Sequence, residues 1–365
     1  MKNNKKNVIW FSEIRWDYMA TRKQHLIKRL SNNYNFIFIE PYKKNEKYYL
    51  YRKEKNIIII TIPTFKLGNK LLTIFFSFSS LRYLIFIFQY ILLKTVIRKD
   101  ISLQIISNPC FIQLCSRNIP TVWDYNDYPF QFAKSPAWLK RSFNTFLNTK
   151  INCIWASSKT IFDNLKSKKY SNVEYIPNGV DTNIFKKAKL TKKDKIKIGY
   201  VGIISSWFFD FDLLKKISKA FPHTQIDIVG PLDPLLNKNN INLSNYKNIK
   251  LYGKVKYSRL PEIISSFDVG IIPLKQNNDV YKLNSAKFLQ YYASKIKIVS
   301  VPFLEFDDFK NNVYFCKNSI EFINSIKIII ENKCNKKYDP RKIEKFCWDK
   351  ISLKATKSME NIIGI

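Results

Sequence analysis

Histidines, paired cysteines and acidic residues are scarce in this sequence. The chain has two histidines, His25 and His223, and none of its six cysteines belongs to a C-x-x-C pair. An ordinary zinc site therefore cannot be assembled. The N-terminal run MKNNKKNVIWFSEIRW has a basic start but an apolar segment too short for a secretory signal. We expect a protein of the reducing cytoplasm that needs no metal or other cofactor, with Cys153 as a buried, inert thiol.

The shortage of acidic residues leaves a large positive charge. Against 62 Lys+Arg there are 28 Asp+Glu, a formal net charge of +34. Such an excess attracts nucleic acid, acidic polysaccharide or an anionic membrane. An AT-rich coding sequence, which favours Lys, Asn and Ile, explains the same excess without any partner. The lysines are dispersed and no nucleic-acid-binding motif is present, so nucleic acid is the least favoured partner.

No hydrophobic run in the sequence is both uninterrupted and long enough to span a membrane. Residues 70–98, KLLTIFFSFSSLRYLIFIFQYILLKTVIR, are about as long as a spanning helix. Arg82 and Gln89 interrupt them, and a mid-span arginine costs about 2.5–3.5 kcal/mol on insertion scales. A core helix and a helix lying in the membrane interface are therefore both favoured over a true span.

Short apolar runs alternate with longer amphipathic segments, which is typical of βαβ units and parallel sheets. The predicted strands lie at 7–12, 35–39, 56–62, 102–107, 120–123, 151–156 and 173–176, then at 197–202, 225–230, 249–253, 268–273, 297–301 and 313–316. The predicted helices lie near 21–31, 70–97, 136–148, 158–167, 210–220, 257–266, 284–294, 318–332 and 340–361. A polar stretch with a lysine run between the two series is typical of a linker.

This pattern predicts an α/β chain of two doubly wound, Rossmann-like domains facing a central cleft. A ligand in such a fold lies at the carboxyl ends of the strands. We expect a first domain over 1–177, a second domain over 178–340 and a last helix over 341–365.

Four ordered blocks carry a family resemblance. They are QHLIKRL with FIFIEP (24–41), YIPNGVDTNIF (Tyr175–Phe185), KIGYVGIISSWFFDFDLLKKI (197–217), and LYGKVKYSRLPEIISSFDVGIIPLKQN with NSAKFLQYYASKIKIVSV (251–301). Together they resemble the glycosyltransferase group 1 family, in its surface-polysaccharide, teichuronic-acid-type branch. The resemblance implies a GT-B fold in which the domain over 1–177 binds the acceptor, the domain over 178–340 binds the donor, and the last helix, 341–365, packs back on the first domain. It also implies retaining transfer of a hexose from a nucleotide sugar to a glycan or lipid-linked acceptor.

The donor-site helix departs from the family pattern. Relatives commonly carry two acids separated by seven residues, of which the second binds the donor ribose. Those positions are Lys282 and Gln290 here, and Gln290 is a neutral and weaker hydrogen-bonding partner. Asn284 is followed by serine where the branch has proline. Lys287 is retained at the helix start, where the resemblance implies a contact with the donor phosphates.

Two glycine positions have physical reasons beside the resemblance. Gly202 ends a predicted strand and lets backbone approach a diphosphate. Asn178-Gly179 favours a turn with positive φ, and Asp181 can cap the turn or helix that follows. The strand-linked Arg and Lys of relatives have no match in GIISSWFFD. Lys275 is our candidate for part of their role.

Acceptor-side candidates come from the first domain. His25 follows Arg22 in the branch's Arg-x-x-His pattern, where function and packing explain a histidine equally well. Asp124 and Asp127, in VWDYNDYPF, follow a predicted strand, where either could receive the acceptor proton. The alternative is that both are turn formers or helix caps.

The sequence therefore predicts a glycosyltransferase acting on lipid-linked or glycan acceptors from the inner face of the plasma membrane, which it binds peripherally. Its expected partners are a nucleotide sugar, that acceptor and the anionic membrane. A degenerate, non-catalytic glycosyltransferase subunit is the first alternative, because Lys282 and Gln290 replace the acids. A basic nucleic-acid-binding protein is the second, favoured only by the charge of +34.

Overall fold

The computed structural model describes residues 5–42, 50–63, 79–97, 99–126, 137–149, 151–170, 172–186, 195–233, 236, 243, 245–276 and 284–364. The chain forms two compact units. The first comprises Met1–Ile176 with Ser352–Ile365, and the second is Pro177–Ile351. Each is built on a predominantly parallel sheet, which confirms the predicted α/β fold class.

The first unit contains an eight-stranded sheet in the order β3-β4-β2-β1-β5-β6-β7-β8. Its strands are β1 (Asn7–Phe11), β2 (Asn35–Pro41), β3 (Arg52–Glu54), β4 (Ile57–Ile62), β5 (Ile101–Ile106), β6 (Thr121–Tyr125), β7 (Cys153–Ala156) and β8 (Val173–Tyr175). All pairs are parallel except β3 with β4. The near-continuous apolar runs of β1, β2 and β7 are explained by burial on both faces.

Helices α1 (Arg22–Leu30), α2 (Ser79–Val96), α3 (Ala137–Thr149) and α4 (Lys159–Ser167) belong to this unit. A capping box begins α1, because the Gln24 side chain accepts a hydrogen bond from the backbone of Thr21, at 3.1 Å. Burial raises the pKa of the Cys153 thiol in β7 to about 12, so this thiol stays protonated at neutral pH.

The second unit contains a six-stranded, fully parallel sheet in the order β11-β10-β9-β12-β13-β14. Its strands are β9 (Lys197–Val201), β10 (Gln225–Val229), β11 (Ile249–Gly253), β12 (Val269–Ile272), β13 (Lys297–Ser300) and β14 (Tyr314–Phe315). The strand order reverses between β9 and β12, as it does in Rossmann-type dinucleotide-binding folds.

The remaining helices are α5 (Thr182–Lys186), α6 (Phe211–Ala220), α7 (Leu260–Ser265), α8 (Ala286–Ala293), α9 (Ser319–Ile330), α10 (Pro340–Glu344) and α11 (Trp348–Ile363). From Ser352 onward α11 groups with the first unit. There Ser358 accepts a hydrogen bond from Trp155 Nε1 at 2.9 Å and donates one to Glu174 Oε1 at 2.9 Å.

Several local predictions need correction. Strand β3 was not predicted, because RKE carries no apolar signal and pairs only through tertiary contact. The helix predicted over 340–361 is interrupted between α10 and α11. Of the helix predicted over 70–97, residues 79–96 are helical, and 70–78 lie outside the described residues. No helix among the described residues is long and apolar enough to cross a membrane.

The turn predicted at Asn178-Gly179 is also different, since neither residue has a positive φ. Gly179 is required for space. A Cβ there would lie 2.8 Å from the carbonyl oxygen of Phe346 and 2.7 Å from Ile351 Cδ1. The Val180 N–H donates to that same Phe346 carbonyl at 2.8 Å. The segment therefore lies in close contact with the chain that leads into α11.

Candidate functional site

The parallel pairing of β9 with β10 in the second unit brings two glycines together. Gly202 follows β9 with φ +151°, and Gly230 follows β10 with φ +145°. A Cβ on Gly230 would lie 1.9 Å from the Gly202 carbonyl oxygen. The Gly202 N–H donates to Val229 at 2.8 Å. Positive φ and this close packing both favour glycine, and glycine leaves room for another side chain beside the end of β9.

Helix α8 is fixed beside these glycines by buried polar contacts. The Tyr291 hydroxyl accepts the Val201 N–H at 2.7 Å, which joins the helix to the end of β9. At the start of the helix, Asn178 Nδ2 donates to the Asn284 carbonyl at 3.0 Å. Asn284 Nδ2 in turn donates to the buried carboxylate of Glu305 at 3.5 Å. The two hydrogen bonds of Asn284 therefore fix the position of the N-terminus of α8.

Lys287 extends from the first turn of α8 across Gly202. A Cβ on Gly202 would lie 2.1 Å from Lys287 Cε, so only glycine leaves this path open. The ammonium lies 5.7 Å from the Tyr200 ring centre and 5.9 Å from that of Phe208. Part of the side chain is exposed, but protein atoms crowd the ammonium, and this desolvation lowers the pKa of Lys287 to about 8.

The N-terminus of α8 offers further donors. Ser285 is the N-cap residue, yet its hydroxyl makes no capping hydrogen bond. This buried hydroxyl has no hydrogen-bond partner among the described residues. The first amides of an α-helix have no acceptor within the helix, and they carry the positive end of its dipole. A lysine, a hydroxyl and these amides together form a site suited to a phosphate or diphosphate.

The other residues predicted for the donor site differ in their contacts. Gln290 is on α8, one turn beyond Lys287, and is partly exposed. Lys275 follows β12, and its ammonium donates to the Ser206 carbonyl, so it braces the loop after β9. Lys282 lies outside the described residues. Asp181 directly precedes α5, and its carboxylate accepts a hydrogen bond from Tyr257 at 3.1 Å.

In the first unit, Asp124 lies inside β6 and not beyond the strand end as the sequence suggested. It is fully buried and forms an ion pair with Arg22 on α1, Nε to Oδ1, at 2.8 Å. The Ser107 hydroxyl lies 3.4 Å from its other oxygen. His25 is buried on α1. Asp127 lies outside the described residues. Of this set, the structure brings Arg22 and Asp124 into contact.

Two further ion pairs at this end of the sheet were not predicted. Arg15 pairs with the buried Glu40 at 3.3 Å, and the buried Lys23 pairs with Glu13 at 2.6 Å. Glu40 also accepts hydrogen bonds from the Trp16 N–H at 2.7 Å and from Thr61 at 2.8 Å. The sequence indicates these ion pairs only through the charged residues directly after β1, and an exposed loop explains those residues equally well.

Comparison with known proteins rests on the structure, since no family model and no curated protein matches the sequence. Sucrose-phosphate synthase from Thermosynechococcus elongatus superposes with a TM-score of 0.77 at 13% identity, covering 99% of this chain and 100% of that one. The apo lipopolysaccharide outer core galactosyltransferase WaaB gives 0.62 at 12% identity, covering 97% and 99%. The Anabaena protein HepE, in complex with UDP and glucose, gives 0.61 at 11% identity, covering 98% and 97%.

The chain has the GT-B fold. The two Rossmann-like units of this chain are the two domains of that fold. The glycine pair and Lys287 lie at the carboxyl ends of the strands where the order of the second sheet reverses. Open α/β sheets bind their ligands at that point.

Proposed function

We propose that this protein is a glycosyltransferase that binds a nucleotide sugar at the start of α8 and transfers the sugar to a glycan or lipid-linked acceptor. The observation that carries the proposal is the Lys287 side chain, which lies across Gly202 with its ammonium near the Tyr200 and Phe208 rings, beside a helix N-terminus at the reversal of strand order. Solved structures of the same fold hold UDP with glucose and UDP-2-fluoro glucose, which supports a nucleotide sugar as the ligand.

The chemistry follows from these donors. As the bond between the sugar and the diphosphate breaks, the electron pair moves to the leaving diphosphate. Lys287 and the first amides of α8 stabilise that charge. The acceptor hydroxyl forms the new bond to the sugar, with the retained configuration that the family resemblance implies. Gln290 is assigned to the ribose, and Asn284 to fixing the helix start.

On the acceptor side, Asp127 and His25 remain the proposed residues for the proton and the sugar hydroxyls. The carboxylate of Asp124 is already engaged by Arg22. We therefore assign Asp124 to holding Arg22 at the end of the sheet, and not to proton transfer. No step in this scheme calls for a metal ion.

The direct test is a thermal-shift screen of the purified protein against UDP-, GDP- and CDP-sugars, followed by calorimetry with the best donor. We expect one nucleotide class to stabilise the protein. Binding to none of them, in a folded protein, would overturn the proposal. If the same protein instead bound DNA in a salt-dependent manner, the basic nucleic-acid-binding alternative would replace it.

A second candidate is a non-catalytic subunit that has kept the donor site. The neutral Gln290, at the position of the family's ribose-binding acid, favours it. Both candidates predict donor binding, so the distinguishing measurement is turnover. Release of UDP from the donor, by hydrolysis or by transfer, supports the enzyme. Tight donor binding without turnover, across a panel of acceptors, supports the subunit.

We also propose a role in surface-polysaccharide synthesis at the inner face of the plasma membrane, and helix α2 supports the membrane contact. Five large apolar residues on it are 44–63% exposed: Tyr83, Leu84, Phe88, Tyr90 and Ile91. The helix contains no acidic residue and ends near Lys94. It packs, like α3, against a 3₁₀ turn over Pro109–Leu114. An apolar face on so basic a chain fits an anionic bilayer, in which it would lie at the headgroup boundary.

Liposome flotation tests this membrane contact. We expect binding to anionic vesicles, but not to zwitterionic ones, and loss of binding at high salt. The double variant Leu84→Glu/Phe88→Glu should stay in solution. Ile320→Glu, which changes a 70% exposed apolar residue on α9, is the matched control and should bind as the wild type does. No wild-type binding at low salt would exclude membrane docking.

A further inference from the structure

The loop after β9, residues 203–210, is held rigidly against neighbouring chain. The Phe209 N–H donates to the Ser205 carbonyl at 2.9 Å, and the Lys275 N–H donates to the Phe208 carbonyl at 2.8 Å. Ser205 Oγ donates to Asp233 at 2.6 Å. An isolated antiparallel bridge joins Phe209 to the segment after β12. These contacts fix the backbone of the loop, and with it the positions from which its side chains extend.

One of these side chains is Trp207, which is 47% exposed. The other tryptophans whose side chains are described are buried: Trp10, Trp16, Trp123, Trp155 and Trp348. Leaving an indole in water forgoes a large part of its hydrophobic stabilisation. Because the surrounding backbone is fixed, the exposure of Trp207 is a property of the folded loop and not of a frayed segment.

Trp207 also lies beside the candidate donor site. Its ring is 4.4 Å from the Phe208 ring, in an edge-on arrangement at 75°. The Phe208 ring in turn lies 5.9 Å from the Lys287 ammonium. One aromatic ring thus separates the exposed indole from the group assigned to the diphosphate. These two distances place the Trp207 ring within about 10 Å of the Lys287 ammonium, so a ligand bound through its phosphates at Lys287 is the candidate for contact with the indole.

We propose that Trp207 is a stacking residue for a pyranose ring, and so a determinant of which sugar this protein accepts. This inference rests on the proposed function. A pyranose has one face made of C–H groups and a rim of hydroxyls, and the electron-rich face of an indole attracts such C–H groups. With the nucleoside assigned to Gln290 on α8, the sugar is the remaining part of the donor that an exposed ring can contact. A sugar of the acceptor offers the same chemistry.

The test measures the affinities of the wild type, Trp207→Ala and Trp207→Phe for UDP and for UDP-sugar by calorimetry, and their initial rates of transfer. GDP or CDP replaces UDP if the donor screen selects it. Aromatic stacking is worth about tenfold in affinity. If Trp207 stacks on the donor sugar, Trp207→Ala weakens UDP-sugar about tenfold and leaves UDP unchanged. If it stacks on the acceptor sugar, the acceptor KM rises by that factor instead. In either case Trp207→Phe restores most of the loss.

Tyr252→Ala, which removes another half-exposed aromatic side chain of the same unit, is the control and should leave all these values unchanged. The inference is overturned if Trp207→Ala alters neither donor-sugar affinity nor acceptor KM. It is also overturned if UDP alone weakens as much as UDP-sugar, since the indole would then contact the base. Failure of the wild type to bind any nucleotide would instead refute the proposed function, and the thermal-shift screen detects that case first.

Discussion

The enclosed ammonium of Lys287 makes nucleotide binding depend on pH in a range where few other groups titrate. Its pKa is lowered to about 8 because burial disfavours the charged form. At pH 7 the free protein is therefore about nine-tenths protonated at this lysine, and at pH 9 about one-tenth. A phosphate group has its last pKa at about 6, so the diphosphate of UDP is already about nine-tenths fully ionised at pH 7 and changes little in charge up to pH 9.

The anion favours the ammonium form, so binding raises the pKa of Lys287, and the complex takes up a proton between pH 8 and 9. Only the protonated fraction of free protein offers the full charge. The dissociation constant for UDP should therefore rise about tenfold from pH 7 to pH 9. Calorimetry at constant ionic strength, in two buffers of different ionisation enthalpy, measures both the affinity and the proton uptake.

Two variants isolate the lysine. Lys287→Met keeps the length of the side chain without its charge. It should reduce transfer by about 100-fold or more, since one preorganised contact to a developing charge is worth about 2.7–4 kcal/mol. UDP affinity of this variant should not change between pH 7 and 9. Lys219→Met, at an exposed position on α6, should keep the wild-type pH profile. A flat wild-type profile, or wild-type turnover in Lys287→Met, would remove Lys287 from the site.

Three further predictions concern residues around the two sheets. Gln290→Glu should fold and bind UDP-sugar at least as tightly as the wild type by calorimetry, because it restores a carboxylate for the ribose; loss of binding would show that the helix register is wrong. Gly202→Ala should weaken UDP at least tenfold, because its Cβ would displace Lys287. Gly253→Ala, at φ +66° with open space around the Cβ, shows the effect of a positive φ alone and should leave binding intact. Arg22→Ala should lower the free energy of unfolding by about 3–5 kcal/mol in urea denaturation, because it leaves Asp124 buried without its ion-pair partner; a change below about 1 kcal/mol would mean that water reaches the carboxylate.

The candidate donor site was predictable in part, because local sequence carries some of its geometry. The apolar run of β9 followed by Gly202, and Lys287 at the start of an amphipathic helix, are local signals. The partners of Asn284 were not predictable, since Asn178 and Glu305 are distant in sequence and meet it only in the fold. The contact that Lys275 makes was not predictable for the same reason. Its ammonium was free to bind a ligand as far as the sequence could tell, and the fold gives it the Ser206 carbonyl.

Local chemistry alone determined the alternation of strands and helices, and with it the α/β class. Apolar runs of four to seven residues that alternate with longer amphipathic segments are typical of strands buried on both faces, in a parallel sheet covered by helices. Tertiary structure decided which charged residues are buried. Asp124 and Lys23 look like surface residues in the sequence, yet each lies buried against a partner from another segment. It also decided that Gly179 is needed for space and not for φ, because the neighbouring chain belongs to residues 346–351, which only folding brings there.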